Sequence, residues 1–251
     1  MTETALDPVW IRRFHDGPQH GTPLVCFPHA GGAASYYTAL SNTLKADVQV
    51  YAVQYPGRQD RRAEPALSTI GELADAVFAA LRPLLGGPVA FFGHSMGSMV
   101  AFEVADRMRR RLGTAPATLF ASGRRAPSAY RDESVHLRDD DGLIEDLKRL
   151  SGTDLRILND AELMEMIIPP MRSDYKAVET YRCVPGLRLD CPLVVLVGDD
   201  DPTVDLDEAK AWSEHTTGPF DLHTFSGGHF YLADHQEAVA GLIRERLRAR
   251  W

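Results

Sequence analysis

The chain of 251 residues contains only three cysteines, Cys26, Cys183 and Cys191, and no C-x-x-C pair. This odd number at irregular spacing excludes a disulfide-stapled scaffold, and no Cys/His cluster has the spacing of a metal site. The start of the chain also lacks an apolar segment that would read as a secretion signal. We therefore expect reduced thiols, a cytoplasmic location and a functional site without a metal.

The sequence has too little positive charge for a nucleic-acid-binding protein. It carries 27 Lys and Arg against 35 Asp and Glu, a formal net charge of -8, whereas such proteins need a basic face that displaces counterions. The three arginines at 109–111 are expected at the C-terminal end of a helix, where positive charge suits the helix dipole. No apolar stretch approaches the ~20 residues that span a bilayer. Nucleic-acid binding and membrane insertion are both disfavoured.

What the sequence does have is an alternation of short apolar strands and helical segments. Hydrophobic residues make up 44% of the chain, enough for a sizeable core. Ser35 and Ser68 are candidate caps for the first two helices. The predicted strands are 10–14, 24–27, 48–53, 88–92, 117–122, 193–197 and 220–225, and the predicted helices are 36–44, 69–84, 99–112, 206–215 and 236–248. This order is typical of an α/β fold with βαβ crossovers and a mostly parallel sheet.

The alternation stops between residues 127 and 185. Segments 143–150 and 163–168 have the helical period, the second is followed by Pro169 and Pro170, and 175–181 is a further candidate helix. We interpret 127–185 as a helical lid inserted over the carboxyl edge of the sheet, within a single domain of residues 1–251. An ordinary crossover with extra helices is the alternative. The methionines at 164, 166 and 171 would give the lid an adaptable apolar surface, or belong to the core.

A serine stands where the strand predicted at 88–92 meets a helix. Residues 93–97 read GHSMG, a G-x-S-x-G in the strand-turn-helix context that exposes a nucleophilic serine. Gly93 and Gly97 let the helix pass close to the strand and tolerate a strained serine backbone. We therefore predict that Ser95 is a nucleophile, with a glycine-rich β-α turn of no catalytic role as the alternative.

A serine hydroxyl needs a base to take its proton and an acid to orient that base. In hydrolase sheets these follow later strands, in the order Ser, Asp, His. His229 stands in a glycine-flanked loop after a late strand, and Asp201 follows the strand predicted at 193–197. Asp200 is the next candidate acid. Because adjacent carboxylates repel one another, Asp199 and Asp200 are expected to point to solvent.

Three other histidines fit the role of base less well. His94 belongs to the turn itself but leaves it in a different direction from Ser95. His223 alternates with apolar residues inside a predicted strand, and His235 is expected to open the last helix as a cap. His229 is therefore the predicted base.

Attack by the serine creates an oxyanion, which needs preorganised N–H donors. One donor is expected from the backbone of Met96, the residue after the nucleophile. The other is expected from Ala30, in the loop that follows the strand at 24–27. His29 of the same loop is placed to line the site.

Five motifs, in this order, carry a family resemblance: FPHAGG at 27–32, YPGR at 55–58, GHSMG at 93–97, GDDDP at 198–202 and GGHF at 227–230. Over nearly the whole chain they resemble the type II thioesterases, the stand-alone editing enzymes of polyketide and nonribosomal peptide assembly lines. The resemblance implies an α/β-hydrolase fold and matches Ser95, Asp201 and His229 to the family's triad. It likewise matches Ala30 and Met96 to the oxyanion positions.

The resemblance further implies a substrate, an acyl group held as a thioester on the phosphopantetheine arm of a carrier protein. The enzyme would clear stalled or wrongly loaded acyl groups, and no cofactor is implied, since the substrate itself carries the phosphopantetheine. The partners would be acyl- or peptidyl-carrier domains of the synthases, and we expect a monomer. The lid would shape the acyl chamber, and His29, Met171 and Phe230 are expected to contact substrate.

Rival functions stay open at this point. The same triad would serve a carboxylesterase or lipase acting on oxygen esters, or a terminal thioesterase that cyclises its product. A hydrolase-fold receptor that binds a small ligand with little turnover is the alternative from another class.

Docking of an acidic carrier protein would need a local basic or apolar patch. Arg124 and Arg125 are candidates, with a solvated loop or an internal salt bridge as the alternatives. Arg58 is expected to hold its own turn through a buried ion pair.

Overall fold

The centre of the molecule is one sheet, seen in a computed structural model that describes residues 6–150 and 161–248. Its strands are β1 (Ile11–Arg12), β2 (Leu24–Phe27), β3 (Val50–Val53), β4 (Ala90–His94), β5 (Leu119–Ser122), β6 (Leu193–Gly198) and β7 (Phe220–Phe225). In space their order is β1-β3-β2-β4-β5-β6-β7, with β1 antiparallel to β3 and the other neighbours parallel. Because parallel strands end at the same edge, the loops after β2, β4, β6 and β7 meet there.

Helices cover both faces of this sheet. They are α1 (Thr38–Leu44), α2 (Ile70–Leu81), α3 (Met96–Leu112), α4 (Asp140–Arg149), α5 (Ala161–Glu179), α6 (Leu206–Lys210) and α7 (Gln236–Arg248). Short 3-10 helices lie at Ala34–Tyr37, Gln59–Arg61, Val135–Leu137, Ala211–His215 and Tyr231–Ala233. None of the helices in the described ranges is long and apolar enough to cross a bilayer.

Two apolar clusters pack the two faces of the sheet. Val25 and Phe27 lie in the cluster with α2 and α3, whereas Leu24 and Cys26 lie in the cluster with α1 and α7. This split follows from the two-residue period of a strand, whose successive side chains point to opposite faces. Both faces are buried, so the central strands read as continuous apolar runs, and the α/β expectation is confirmed.

The expected helix caps differ from the structure. Residues 34–37 form a 3-10 helix before α1, so Ser35 caps nothing and its Oγ instead accepts from Gln59 Nε2 at 2.8 Å. α2 begins one residue later than a Ser68 cap would require. Its cap is Thr69, whose Oγ1 accepts from the N–H of Glu72 at 3.1 Å. Ser68 and Thr69 both have a hydroxyl that could cap a helix, and the backbone conformation decides which of them does.

The helices α4 and α5 lie between β5 and β6, where the lid was predicted. The expectation of separate helices around Pro169 and Pro170 was wrong, since α5 runs through both prolines. Each proline removes one N–H donor and crowds the preceding turn. Side chains along the helix compensate: Met164, Ile168 and Met171 join Leu143 and Leu147 of α4 in a buried apolar cluster. The role of this insertion as a lid stays a prediction.

A first prediction concerns Gly97, the second residue of α3. A Cβ at Gly97 would lie 2.0 Å from the carbonyl oxygen of Phe27, a backbone atom that cannot swing aside. Gly97→Ala is therefore expected to lower the free energy of unfolding by about 1–3 kcal/mol or more, measured by urea denaturation.

Gly241 supplies the matched control, because it lies exposed in α7 with no heavy atom within 4 Å of its would-be Cβ. Gly241→Ala should raise stability by about 0.5–1 kcal/mol. Equal stability of the Gly97→Ala variant and the parent would contradict the close helix–strand contact.

Candidate active site

Ser95 occupies the sharp turn between β4 and α3. Its backbone has φ 55° and ψ -119°, a conformation that costs a non-glycine residue about 1–3 kcal/mol and that persists where the surroundings enforce it. Its N–H donates to the carbonyl of Ser122 on β5 at 2.8 Å. A Cβ on Gly93 would lie 2.3 Å from the carbonyl oxygen of Gly97, so the turn is closed by the two glycines of the motif. The geometry is that of a nucleophile elbow.

His229 and Asp201, from the loops after β7 and β6, form a buried pair. His229 Nδ1 donates to Asp201 Oδ2 at 2.8 Å, and the two side chains are 3% and 0% exposed. Burial would raise the pKa of Asp201, but the hydrogen bonds from His229 and Thr203 hold that pKa below its ordinary value. The acid is therefore ionised at neutral pH. Because Nδ1 is engaged, Nε2 is the ring nitrogen available to a serine proton.

Thr203 is a member of this site that the sequence reasoning missed. Its N–H and Oγ1 both donate to Asp201 Oδ1, at 2.8 and 2.7 Å, and its Oγ1 lies 3.1 Å from His229 Nδ1. One arrangement of protons fits all these contacts. The Thr203 hydroxyl donates its hydrogen bond to Asp201 Oδ1, and the proton on His229 Nδ1 points towards Asp201 Oδ2 and Thr203 Oγ1. The signal was present in the sequence as Asp-x-Thr, since a side chain that bonds the backbone two residues on forms an Asx turn.

The neighbouring acid Asp199 departs from its expected role. It is exposed, but its Oδ1 accepts from the N–H of Gly227 at 2.9 Å, which joins the loop of the acid to the loop of the histidine. A second bond runs from the N–H of Asp200 to the carbonyl of Gly227 at 3.0 Å. Asp200 itself is exposed, in line with the expectation. Asp199 thus fixes the distance between two loops rather than simply pointing to solvent.

The two expected oxyanion donors lie beside the serine. Met96 is the first residue of α3, so its N–H has no partner within the helix. In the loop after β2, the N–H of Gly32 donates to the carbonyl of His29 at 2.9 Å and the N–H of Gly31 donates to a side chain. The N–H of Ala30 has no hydrogen-bond partner in the described part of the chain, so it is available as a donor.

His94 lies beneath the site, where its ring packs near His229 and is held by Ser122. It is fully buried, its Nδ1 lies 2.9 Å from Ser122 Oγ, and Ser122 Oγ lies 2.6 Å from the hydroxyl of Tyr231. Burial and the nearby His229 ring hold the pKa of His94 well below its ordinary value. The ring therefore stays neutral, 5.1 Å from the ring of His229 between centroids. Its bond to Ser122 agrees with a direction away from the nucleophile.

His235 does not cap the last helix. Its Nε2 donates to the carbonyl of Ser226 at 2.8 Å and so closes the loop that carries His229. Only the backbone carbonyl of His235 takes part in the helix start, as acceptor for the N–H of Val239.

A cavity of about 190 Å³ brings the predicted site residues together. Its lining includes Ser95, His229, Ala30, His29, Met171 and Phe230. The insertion adds apolar side chains, Leu147, Leu150, Ile167 and Val178, and charged ones, Glu133, Asp146, Arg149 and Glu179. Burial, with His229 and Arg58 nearby, lowers the pKa of His29 to about 3, so the His29 ring is uncharged at pH 7. His29, Met171 and Phe230 thus lie where substrate contacts were predicted.

Arg124 and Arg125 belong to the wall of this cavity. The side chain of Arg125 is 4% exposed, pairs with Glu133 and donates to the carbonyl of Thr203 at 3.2 Å. Burial lowers the pKa of Arg124 to about 10. The expectation of a docking role was wrong for Arg125, for which the internal salt bridge is the arrangement found. For the half-buried Arg124 it stays a prediction.

Arg58 forms a buried ion pair, as expected, but not within its own turn. Its Nη2 donates to Asp174 Oδ2 at 2.7 Å, and the two side chains are 5% and 1% exposed. Asp174 lies on α5, 116 residues along the chain, and sequence reasoning gave no signal for it. A single carboxylate in a helix reads as a solvated charge unless its distant partner is known.

No group of three or more His, Cys, Asp or Glu side chains that could hold a metal ion occurs within residues 6–150 and 161–248. The arrangement suits nucleophilic acyl transfer: a serine that opens onto the cavity, a histidine oriented by an ionised acid, and two backbone N–H donors.

Comparison with known proteins gives consistent matches. The family model of the thioesterase domain matches residues 22–247. Thioesterase PikA5 of Streptomyces venezuelae is 50% identical over 240 residues, which are 95% of this chain and 85% of that protein. A probable cadicidin biosynthesis thioesterase of Streptomyces griseus is 50% identical over 238 residues, 95% of this chain and 66% of that protein. The solved structure of the type II thioesterase BorB from the borrelidin cluster has a TM-score of 0.90 at 49% identity, covering 98% of this chain and 100% of BorB.

The second prediction concerns the acid. Asp201→Asn replaces the charged carboxylate that accepts from His229 Nδ1 by a neutral amide. The imidazole ring then loses its fixed tautomer. We expect kcat for an acyl ester or thioester to fall about 10³–10⁴-fold at pH 7.5, with a smaller change in KM. Asp200→Asn, an adjacent exposed carboxylate, is the matched control and should keep the parent rate. If the two variants lost activity equally, Asp201 would not be the orienting acid.

Proposed function

Because the chain belongs to the thioesterase family, as its five motifs predicted, we propose that it hydrolyses acyl thioesters on the phosphopantetheine arms of carrier proteins. Its task is to remove stalled or wrongly loaded acyl groups in polyketide or nonribosomal peptide synthesis. The observation that carries this proposal is that Ser95 and His229, the latter paired with Asp201, open onto one cavity bounded by the oxyanion loop and the insertion. Its partners are carrier domains of the synthases, met in the cytoplasm.

The first half of the reaction is acylation of Ser95. Nε2 of His229 takes the hydroxyl proton as Oγ attacks the thioester carbonyl, and the negative charge that develops on oxygen lies against the N–H groups of Ala30 and Met96. The C–S bond then breaks. Because a thiolate is a good leaving group, it needs less protonation than an amine would, and it takes the proton from His229 as it departs.

The second half is hydrolysis of the acyl-enzyme. A water molecule gives a proton to Nε2 of His229 and attacks the ester carbonyl. The second oxyanion that forms is stabilised by the same two N–H groups. The ester bond breaks, Ser95 recovers its proton from His229 and the free acid leaves. Asp201 stays ionised throughout and stabilises the imidazolium that forms in each half. These steps use side chains and water, with no cofactor.

A carrier-bound thioester has two long halves, and two spaces meet at the oxyanion loop. Beside the catalytic cavity lies a more open cleft of about 590 Å³, which shares His29, Gly31 and Ile167 with it. The lining of the cleft includes the polar and charged side chains of Gln59 and Arg62 beside the apolar Met166 and Pro170. We assign the acyl chain to the catalytic cavity, where Leu147, Leu150 and Val178 offer apolar contacts, and the phosphopantetheine arm to the more open cleft.

Arg62 is the cleft residue suited to the phosphodiester of that arm. It is exposed, and its hydrogen bonding in the described part of the chain is a long contact of 3.5 Å from Nη1 to the carbonyl of Gln59. A guanidinium with free donors in a cleft matches a phosphate geometrically as well as in charge.

The third prediction tests the reaction itself. A carrier protein loaded with acyl groups of increasing length is incubated with the parent and with Ser95→Ala, and the carrier mass is followed. The parent should release the acyl group and Ser95→Ala should be slower by at least about 10³-fold, since the nucleophile is gone.

A matched pair of thioester and oxygen ester of the same acyl group shows which bond is preferred. Faster hydrolysis of the oxygen ester, or labelling of Ser95 by a fluorophosphonate without turnover of any thioester, would contradict the proposed function.

The fourth prediction concerns the cleft. Arg62→Glu should lower kcat/KM for an acyl-carrier substrate by about 10-fold, because a repulsive charge replaces an attractive one near the phosphate. The same variant should leave hydrolysis of an acyl-N-acetylcysteamine thioester, which has no phosphate, unchanged. Arg82→Glu, a charge reversal at another exposed arginine just past the end of α2, is the control. Equal effects of Arg62→Glu on both substrates would contradict the assignment of the phosphate to this cleft.

A further inference from the structure

One carboxylate joins the insertion to the oxyanion loop. Asp174 of α5 is fully buried, and its Oδ2 accepts two hydrogen bonds: from Arg58 Nη2 at 2.7 Å and from the N–H of Gly31 at 2.8 Å. Gly31 is 143 residues away in the chain and directly follows Ala30, the expected oxyanion donor. The contact therefore connects a helix of the insertion to the backbone that carries the catalytic amide.

The backbone of residues 29–32 forms a tight turn whose geometry decides where the Ala30 N–H points. The N–H of Gly32 donates to the carbonyl of His29 at 2.9 Å, and Gly31, the third residue, has φ +73°. This is the pattern of a type II turn, which requires a positive φ at that position. In a trans peptide the N–H lies opposite the carbonyl. Fixing the His29 carbonyl inside the turn thus directs the Ala30 N–H outward.

The helix α5 holds this turn from one side by two contacts. Asp174 binds the N–H of Gly31, and Met171, one helical turn earlier on the same face, packs so closely that a Cβ on Gly31 would lie 2.3 Å from its methyl carbon. With the amides of Gly31 and Gly32 both engaged, the N–H of Ala30 is the one amide of residues 30–32 that stays free to bind the oxyanion.

The ion pair is a poor device for stability alone. Asp174 Oδ1 and the Nε and Nη1 of Arg58 are buried without a hydrogen-bond partner in the described part of the chain. Buried charges that are only partly satisfied stabilise less than apolar side chains of similar volume. What an apolar pair cannot supply is an acceptor for the N–H of Gly31.

We propose that Asp174 is a positioning residue, which holds the N–H of Gly31 and thereby aims the N–H of Ala30 at the oxyanion. Arg58 orients the carboxylate for this task and opposes the burial that raises the pKa of Asp174. The oxyanion hole is then complete only when α5 is seated on the core. This inference rests on the proposed acyl transfer at Ser95.

Two double variants separate positioning from simple anchoring. Arg58→Met with Asp174→Asn removes the ion pair but keeps an acceptor for Gly31, whereas Arg58→Met with Asp174→Leu removes both. If the pair only anchors the insertion, the two variants behave alike. If Asp174 positions the turn, kcat for an acyl-N-acetylcysteamine thioester is about 10–100-fold lower in the Leu variant than in the Asn variant, with KM within about 3-fold, since loss of an oxyanion donor costs 10²–10³ in kcat.

A second readout does not depend on thioester hydrolysis. Labelling of Ser95 by a fluorophosphonate also depends on the oxyanion hole. The labelling rate should therefore fall in the Leu variant but not in the Asn variant. Thermal unfolding shows whether both double variants fold. If one of them does not fold, the single variants Asp174→Asn and Asp174→Ala in the parent background give the same comparison. Equal kcat and equal labelling in both members of a pair would overturn the positioning role. Labelling that differs while no thioester is hydrolysed would uphold it and reject the proposed function.

Discussion

The close contact between Gly97 of α3 and the carbonyl of Phe27 on β2 is the constraint on which the site depends. It brings the first turn of α3, with the strained Ser95 before it, against the end of the strand that leads into the oxyanion loop. The two expected oxyanion donors, Met96 and Ala30, stand on opposite sides of this contact. Because both donors are backbone groups, their separation is set by how closely helix and strand approach, and a single extra carbon at position 97 would push them apart.

The polar groups around the histidine divide into a set that carries charge and a set that stays neutral. Asp201 is held ionised by its hydrogen bonds, whereas burial keeps the nearby rings of His29 and His94 uncharged. The proposed mechanism places a positive charge on His229 in each half of the reaction. With two neutral rings and one carboxylate beside it, that charge meets an opposite charge and no like charge within the ring cluster. Thr203 extends the arrangement outward, since its carbonyl accepts from Arg125, which pairs with Glu133 at the start of the insertion.

Much of this arrangement could be predicted from local sequence, and the parts that could not share one physical cause. The strands, the elbow and the two late loops can each be recognised from about ten residues, through their apolar pattern, their glycines and a polar residue that follows. Asp174 does not, because its partners at positions 31 and 58 lie more than a hundred residues away and nothing in its own helix marks it as buried. The uninterrupted course of α5 through Pro169 and Pro170 escaped for the same reason, since packing against α4 offsets a local preference to break. Thr203 is the one omission that a local motif could have prevented.

In the proposed mechanism the helix α5 both lines the catalytic cavity and holds the oxyanion loop, and this couples the shape of the substrate to catalysis. α5 contributes Ile167, Met171 and Val178 to the walls of the catalytic cavity, and the same helix carries Asp174 to the oxyanion loop. Met171 belongs to both, because it lines the cavity and packs on Gly31. A helix moves largely as a unit, so an acyl group that displaces α5 also moves the acceptor that holds Gly31. An acyl chain that fits beneath the seated helix leaves the Ala30 amide in place, and one that lifts the helix loses it. Discrimination among acyl groups can then arise in kcat, from completion of the oxyanion hole, as well as from contacts with the chain itself.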